Sequence, residues 1–165
     1  MYAVILAGGK GSRLGSLTKS IPKPMVSIGG KPIIWHIMKI FASQGITNFI
    51  ICLGYKGEVL RKFFSKIKEN WNIECVNTGQ NTLTAKRLYL VRNSIKSEKF
   101  FMTYGDGLAN INLQSLYNLH CKKKKIATVT AVAPLPRFGS VILKNGLVVN
   151  FKEKINDSKN LINGG

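Results

Sequence analysis

The order in which apolar runs follow one another constrains the fold of this chain more than any other feature of its sequence. Tyr2 to Ala7 is a short apolar strand, and the turn Gly29-Gly30-Lys31-Pro32 introduces a helix over Ile33 to Ala42. Pro32 suits a first-turn position and Gly45 ends the helix. Asn48 to Leu53 reads as a second buried strand, and Val59, Leu60, Phe63, Phe64 and Ile67 then recur at helical spacing over Glu58 to Ile67. Ile73 to Val76 is a third strand, Leu88, Val91 and Ile95 mark another amphipathic helix, and Phe100 to Tyr104 is strand again. Leu113 to His120 is a further helix and Ile126 to Ala133 a further strand. Gly139 to Leu143 and Leu147 to Phe151, joined by Lys144-Asn145-Gly146, have the residues of a β-hairpin. This strand-helix alternation predicts an α/β domain over the whole of 1–165, with a mostly parallel sheet, helices on both faces and a C-terminal β-hairpin. Ligands in such sheets sit at the carboxyl ends of the strands.

Two glycine-flanked loops fall at such ends, after Ala7 and after Tyr104. The first, Gly8-Gly9-Lys10-Gly11-Ser12-Arg13, has the chemistry of a phosphate cradle, because glycine lets backbone N–H groups approach oxyanions that a Cβ would hold off. Arg13, and Lys23 in Pro22-Lys23-Pro24, would supply charge. The spacing matches neither the dinucleotide fingerprint nor the P-loop. By composition alone, phosphate binding and a tight structural turn both remain open. The second loop is Gly105-Asp106-Gly107, and Asp106 and Asp157 are the aspartates of the chain. A lone Gly-Asp-Gly is a turn or a helix cap as readily as a metal site.

The balance of 25 Lys and Arg against 7 Asp and Glu, a formal net charge of +18, implies an anionic partner. Nucleic acid, an acidic membrane surface and phosphorylated small molecules all qualify, and net charge does not choose among them. The lysines are scattered rather than gathered in a recognisable nucleic-acid module, which disfavours nucleic acid, and general solubility and a compositional bias toward Lys and Asn account for the balance equally well. Cys52, Cys75 and Cys121 lack the close pairing of a zinc site or a disulfide framework and read as reduced thiols. Neither a signal-peptide pattern nor a membrane-spanning run is evident, so a cytoplasmic location without membrane association is expected. His36, Trp35, Phe63 and Phe64 read as packing residues, and Lys122 to Lys125 as a solvated helix end.

The string from Leu6 to Leu14, followed by Thr18 and by Pro22-Lys23-Pro24-Met25, resembles the signature of the sugar nucleotidyltransferases. These enzymes join a nucleoside triphosphate to a sugar 1-phosphate. Within that superfamily, Gly29 to Met38, Phe49 to Gly57, Thr103 to Gly107 and Arg137 to Gly139 look like glucose-1-phosphate cytidylyltransferases, and the similarity runs from Met1 to the final Asn163-Gly164-Gly165. The resemblance implies a Rossmann-like fold, CTP or another nucleoside triphosphate and a sugar 1-phosphate as substrates, Mg²⁺ as cofactor, and nucleotide-sugar synthesis for polysaccharides. It also implies the site. Leu6, Ala7, Gly8, Gly9, Lys10, Gly11, Ser12 and Arg13 would surround the nucleotide, joined by Lys23, Thr82, Arg87 and Gly105. Arg13, Lys23 and Asp106 would be catalytic, with Asp106 the metal ligand. Gly139, Glu153, Lys154 and Asn163 would hold the sugar phosphate.

The chain departs from the family pattern in three ways. It resembles the amino-terminal part of a longer family chain, whose continuation supplies a second metal-binding aspartate. Few residues separate Phe64 from Cys75, where family members carry a longer excursion used in subunit contacts, so a homo-oligomer is an open expectation. Ala85-Lys86 stands for Gly-Gly, Asn77 for Asp and Ile155 for Pro, changes that can shift nucleotide or sugar preference. Beside the transferase, three other expectations follow: a catalytically silent nucleotide-binding module, a transferase using another nucleotide or phosphorylated acceptor, and a basic nucleic-acid binder suggested by the +18 charge.

Overall fold

The computed structural model describes residues 1–9, 11, 20–133, 140–152 and 161–164, which fall in two compact units, 1–125 and 126–164. The first unit contains β1 (Tyr2–Leu6), β2 (Ser27–Ile28), β3 (Lys31–Pro32), α1 (Ile33–Ala42), β4 (Asn48–Leu53), α2 (Gly57–Phe64), β5 (Asn72–Asn77), α3 (Thr84–Val91), β6 (Phe100–Tyr104) and α4 (Leu113–Lys123). Four strands form one sheet in the order β5-β4-β1-β6, and all its pairings are parallel. The register sets Leu6 opposite Cys52 on one side and opposite Tyr104 on the other. β1 is thus a central strand, with the chain first building outward through β4 and β5 and then returning to add β6 on the far side. That reversal is a topological switch point, where neighbouring connections leave toward opposite faces and open a crevice.

The two faces of the sheet are separated by the period-two alternation of β1 and β4. Ala3, Ile5 and Ala7, with Phe49, Ile51 and Leu53, face Ile34, Ile37, Met38 and Phe41 of α1, Leu60 and Phe64 of α2, and Leu113 of α4. Val4, Leu6, Ile50 and Cys52 face the other way, onto Val91 and Leu88 of α3. Continuous apolar runs in these strands therefore follow from helices covering both sides. The predicted fold class is the observed one.

Local boundaries follow backbone chemistry. Pro32, at φ −62° and ψ 150°, is the extended cap that starts α1 rather than part of its first turn. Gly45, at φ +85°, closes the exit from that helix, its N–H donating to the Ala42 carbonyl at 3.0 Å. α2 ends at Phe64, short of the predicted Ile67. Ser27–Ile28 and Lys31–Pro32 pair as a small hairpin around Gly29 and Gly30, both at positive φ; the sequence pattern showed its turn but not its strands.

The second unit holds β7 (Ala131–Val132), β8 (Ser140–Lys144), β9 (Leu147–Lys152) and β10 (Ile162–Asn163). β8 and β9 form the expected hairpin, with Asn145 at φ 52° and Gly146 at φ 78°, as a turn matching the strand twist requires. The strand expected over Ile126 to Ala133 shortens to Ala131–Val132, because only there does Ile162–Asn163 supply an antiparallel partner. Among the described residues, no helix is long and apolar enough to cross a membrane.

Ile51 is fully buried between β1, β5 and the helices of the first face. Ile51→Ala is expected to lower unfolding free energy by about 2–5 kcal/mol in a urea titration, through lost burial and the cavity left behind.

Candidate active site

At the carboxyl edge of the sheet, the strands end in glycines or small polar residues, and the main-chain ladder carries on past them. The N–H of Ala7 donates to the Cys52 carbonyl at 3.0 Å, that of Gly105 to Leu6 at 3.0 Å, and that of Thr78 to Leu53 at 2.9 Å. The loops are consequently drawn together. A Cβ on Gly54 would lie 2.6 Å from the Gly8 carbonyl oxygen and 2.7 Å from that of Gly79. Three backbones meet at a distance that only glycine permits at position 54.

Arg87, from α3, ties this junction together. It is 5% exposed, and its Nη1 donates to the Leu53 carbonyl at 3.2 Å and to Thr78 Oγ1 at 2.6 Å. Its Nη2 donates to the carbonyls of Gly8 and Gln80, each at 3.3 Å. Thr78 Oγ1 in turn donates to Leu53 at 2.7 Å. The guanidinium occupies the space where a Cβ on Gly8 would project. Gly8 is thus a glycine for a reason additional to turn geometry.

On the other side of β1, the segment Pro22-Lys23-Pro24 forms a short 3-10 turn over Lys23–Met25, closed by Met25 N–H to the Pro22 carbonyl at 2.8 Å. Pro24 is buried against Gly105, where a Cβ would lie 3.0 Å from Pro24 Cγ and 3.3 Å from Ala7 Cβ. This packing sets the two proline-flanked and glycine-flanked loops side by side and delivers Lys23 to Asp106. Lys23 Nζ and Asp106 Oδ2 form an ion pair, with their side chains 29% and 32% exposed. At that exposure the pair contributes little to stability, so its interest lies in where it places charge.

A cavity of about 410 Å³ lies over this edge, within the size range of ligand sites. Its walls include the Leu6–Gly9 turn with Gly11, Lys23 and Pro24, the segment Gln80–Thr84, and Arg87, Tyr104 and Asp106. Leu6, Ala7, Gly8, Gly9, Gly11, Lys23, Thr82 and Asp106 are therefore brought together around one cavity. Arg87 borders the cavity, but four hydrogen bonds to protein acceptors make it a strut in this structure. Gly105 supports the site from beneath, against Pro24 and Ala7. Asn163 lies in β10 of the second unit. Lys10, Ser12, Arg13, Gly139, Glu153 and Lys154 lie outside the described residues.

Among the described residues, no group of three or more His, Cys, Asp or Glu side chains could hold a metal ion. Asp106 offers one carboxylate beside a cavity rimmed by glycine backbone and lysine. That donor set fits Mg²⁺, which binds through one or two carboxylates together with substrate phosphates rather than in an all-protein cage.

A family model described as nucleotidyl transferase matches residues 2–165. The chain belongs to the nucleotidyl transferase family. It is 42% identical to the probable glucose-1-phosphate cytidylyltransferase of Bacillus subtilis, over all of this chain and 73% of that protein. It is also 42% identical to the glucose-1-phosphate cytidylyltransferase of Salmonella typhimurium, with the same coverage of 100% and 73%. Among solved structures, HddC from Yersinia pseudotuberculosis complexed with GMP-PN superposes with a TM-score of 0.71 at 26% identity, covering 99% of this chain and 73% of that one. For this nucleotidyl transferase, sequence reading singled out the glycine turn, Lys23, Thr82 and Asp106, but missed Gly54, Thr78 and Gln80. A glycine directly after the second apolar strand was the available signal for Gly54.

The charge of Arg87 is also felt behind the cavity, in the core of the second face. Burial pushes the Cys52 thiol up to about 11, partly opposed by the Arg87 guanidinium. Burial likewise lowers the pKa of Arg87.

Two measurements follow. Arg87→Met should cost about 2–3 kcal/mol in urea unfolding, the net worth of charge-assisted bonds, two of whose carbonyl acceptors keep other donors. Leu53 still accepts from Thr78, and Gly8 from the Tyr55 N–H at 3.1 Å. For Cys52, the folded thiol stays protonated after the unfolded one, near its ordinary value of 9.0, has ionised. Its stabilising contribution is present below that value and is lost as pH rises toward about 11. A stability–pH profile of the parent should therefore fall more steeply over this interval than that of Cys52→Ala, by about 2–3 kcal/mol in all.

Proposed function

We propose that this nucleotidyl transferase joins CTP to glucose 1-phosphate, forming the nucleotide sugar and releasing pyrophosphate. The observation that carries this reading is the meeting of Lys23 and Asp106 beside the glycine turn, at the switch point of the sheet. The 42% identity to proteins named glucose-1-phosphate cytidylyltransferase supports the substrate pair.

In this reading, an oxygen of the sugar phosphate attacks the α-phosphorus of the triphosphate. The bond from that phosphorus to the bridging oxygen of the β-phosphate breaks, and pyrophosphate leaves with the electron pair. Such a transfer asks the protein to align the reactants and to neutralise charge, without a covalent intermediate. The glycine turn accepts the nucleotide between β1 and the Gln80–Thr84 segment, where backbone can approach phosphate closely. Lys23 stabilises charge developing on the leaving group. Asp106 would hold Mg²⁺ together with the phosphates, and the ion would supply further neutralisation there. Arg13 belongs to the same catalytic proposal, with Lys10 and Ser12 at the nucleotide. Gly139, Glu153, Lys154 and Asn163 are proposed for the sugar phosphate, with Thr82, Arg87 and Gly105 supporting the nucleotide side. On this reading the chain from 1 to 165 works as one nucleotidyltransferase domain.

A second reading, transfer of guanylate to a sugar phosphate, is favoured by one observation. The chain is 33% identical to the D-glycero-α-D-manno-heptose 1-phosphate guanylyltransferase of Aneurinibacillus thermoaerophilus, over all of this chain and 73% of that protein.

A pyrophosphate-release screen of the ribonucleoside triphosphates against several sugar 1-phosphates decides between these readings, and CTP with glucose 1-phosphate is expected to give the fastest release. Asp106→Asn should slow release by about 100-fold or more while leaving CTP affinity within a few-fold. Absence of release with any pair, from a protein with intact circular dichroism, would leave only a nucleotide-binding module.

A further inference from the structure

A second cavity, of about 400 Å³, lies against the outer side of α1 and the exit from α2, lined by Lys31, Trp35, Phe63, Lys66, Ile67, Lys68 and Glu69. It shares no lining residue with the cavity at the glycine turn. α2 runs from the carboxyl end of β4 back toward the amino end of β5, so its exit lies toward the amino edge of the sheet.

The apolar part of this second cavity is held in place. The Trp35 indole N–H donates to Glu69 Oε1 at 3.2 Å, and Lys39 donates to Glu69 Oε2 at 3.0 Å. The Trp71 N–H donates to the Glu69 carbonyl at 2.9 Å, and the Trp71 ring lies 6.3 Å from that of Trp35 and 5.5 Å from that of Phe49 in the core. The one acidic side chain of the lining is thus already engaged through both oxygens. Lys31, Lys66 and Lys68 remain exposed around the opening, with Lys31 Nζ 5.5 Å from the centre of the Trp35 ring. An aromatic wall beside an excess of positive charge suits a ligand that carries both a flat ring and an anion.

We propose that this cavity is a second binding site, for a nucleoside phosphate. The base lies along Trp35, Phe63 and Ile67, and the phosphate meets Lys31, Lys66 and Lys68. A simple anion would leave the aromatic wall unused, and a neutral ring would leave the lysines unused. The site stands whether or not the glycine-turn cavity turns over.

The chain has 2 tryptophans, and both lie at this cavity or directly behind it, so their fluorescence reports on it and not on the glycine turn. The test is a titration of the full chain with CMP in EDTA, followed by tryptophan quenching. CMP should quench saturably, and cytidine, ribose 5-phosphate and phenyl phosphate should each need about tenfold more ligand or beyond, the loss of about 1.4 kcal/mol of binding. The double variant Lys66→Glu, Lys68→Glu, changed only at exposed positions, should shift the CMP midpoint upward by about tenfold or more while Asp106→Asn leaves it unchanged. The proposal is overturned if millimolar CMP does not quench, or if the charge-reversed variant titrates like the parent. It is equally overturned if ribose 5-phosphate or phenyl phosphate matches CMP, since the first would show that no ring is read and the second that no nucleoside is.

Discussion

The guanidinium of Arg87 is the tie on which the carboxyl edge of the sheet depends. It reaches from α3 to the ends of three elements at once, through Gly8 after β1, Leu53 at the end of β4, and Thr78 with Gln80 after β5. Among the described residues it has no carboxylate partner. Its charge is instead dispersed over carbonyl and hydroxyl oxygens, which is how a buried cation can persist without a salt bridge. Position 8 must then lack a side chain, and Gly54 must let the neighbouring backbones meet. At this edge, then, Gly8 makes room for the arginine itself and Gly54 for the backbones of Gly8 and Gly79.

From that tie the candidate site is assembled on two sides of β1. The Gln80–Thr84 segment is held on the α3 side, and the Pro22–Pro24 turn is packed over Gly105 on the β6 side. The cavity between them has fixed backbone at one wall and a paired charge, Lys23 with Asp106, at the other. A site made this way is suited to a polyanion that meets backbone dipoles and a cation together, and the +18 balance of the whole chain adds long-range attraction of the same sign. The exposed lysines around Trp35 draw on the same surplus, at a separate place on the molecule.

Most of the sheet was legible from residue patterns because apolar strands and amphipathic helices alternate with little interruption. β4 over Asn48–Leu53, α1 over Ile33–Ala42 and β6 over Phe100–Tyr104 lie where those patterns place them. Ile126 to Ala133 has the same apolar character but pairs only at Ala131–Val132, since strand length is set by the partner and not by propensity alone. In the site, Lys23 and Asp106 stood out by their flanking prolines and glycines, but only the family resemblance singled them out as site residues. Arg87 was legible as a site residue by resemblance, but its hydrogen bonds were not.

By itself, then, the sequence determined the α/β alternation, the glycine turn and the proline-flanked and glycine-flanked charges at Lys23 and Asp106, because periodicity and local turn chemistry are properties of neighbouring residues. Only the tertiary structure decided that β6 lies beside β1, that Pro24 rests on Gly105, and that Arg87 spends its donors on backbone carbonyls rather than pointing into the cavity. Those outcomes join residues far apart in the chain. They depend on which face each helix covers and on how closely glycine allows separate backbones to approach, and neither is written in any one stretch of sequence.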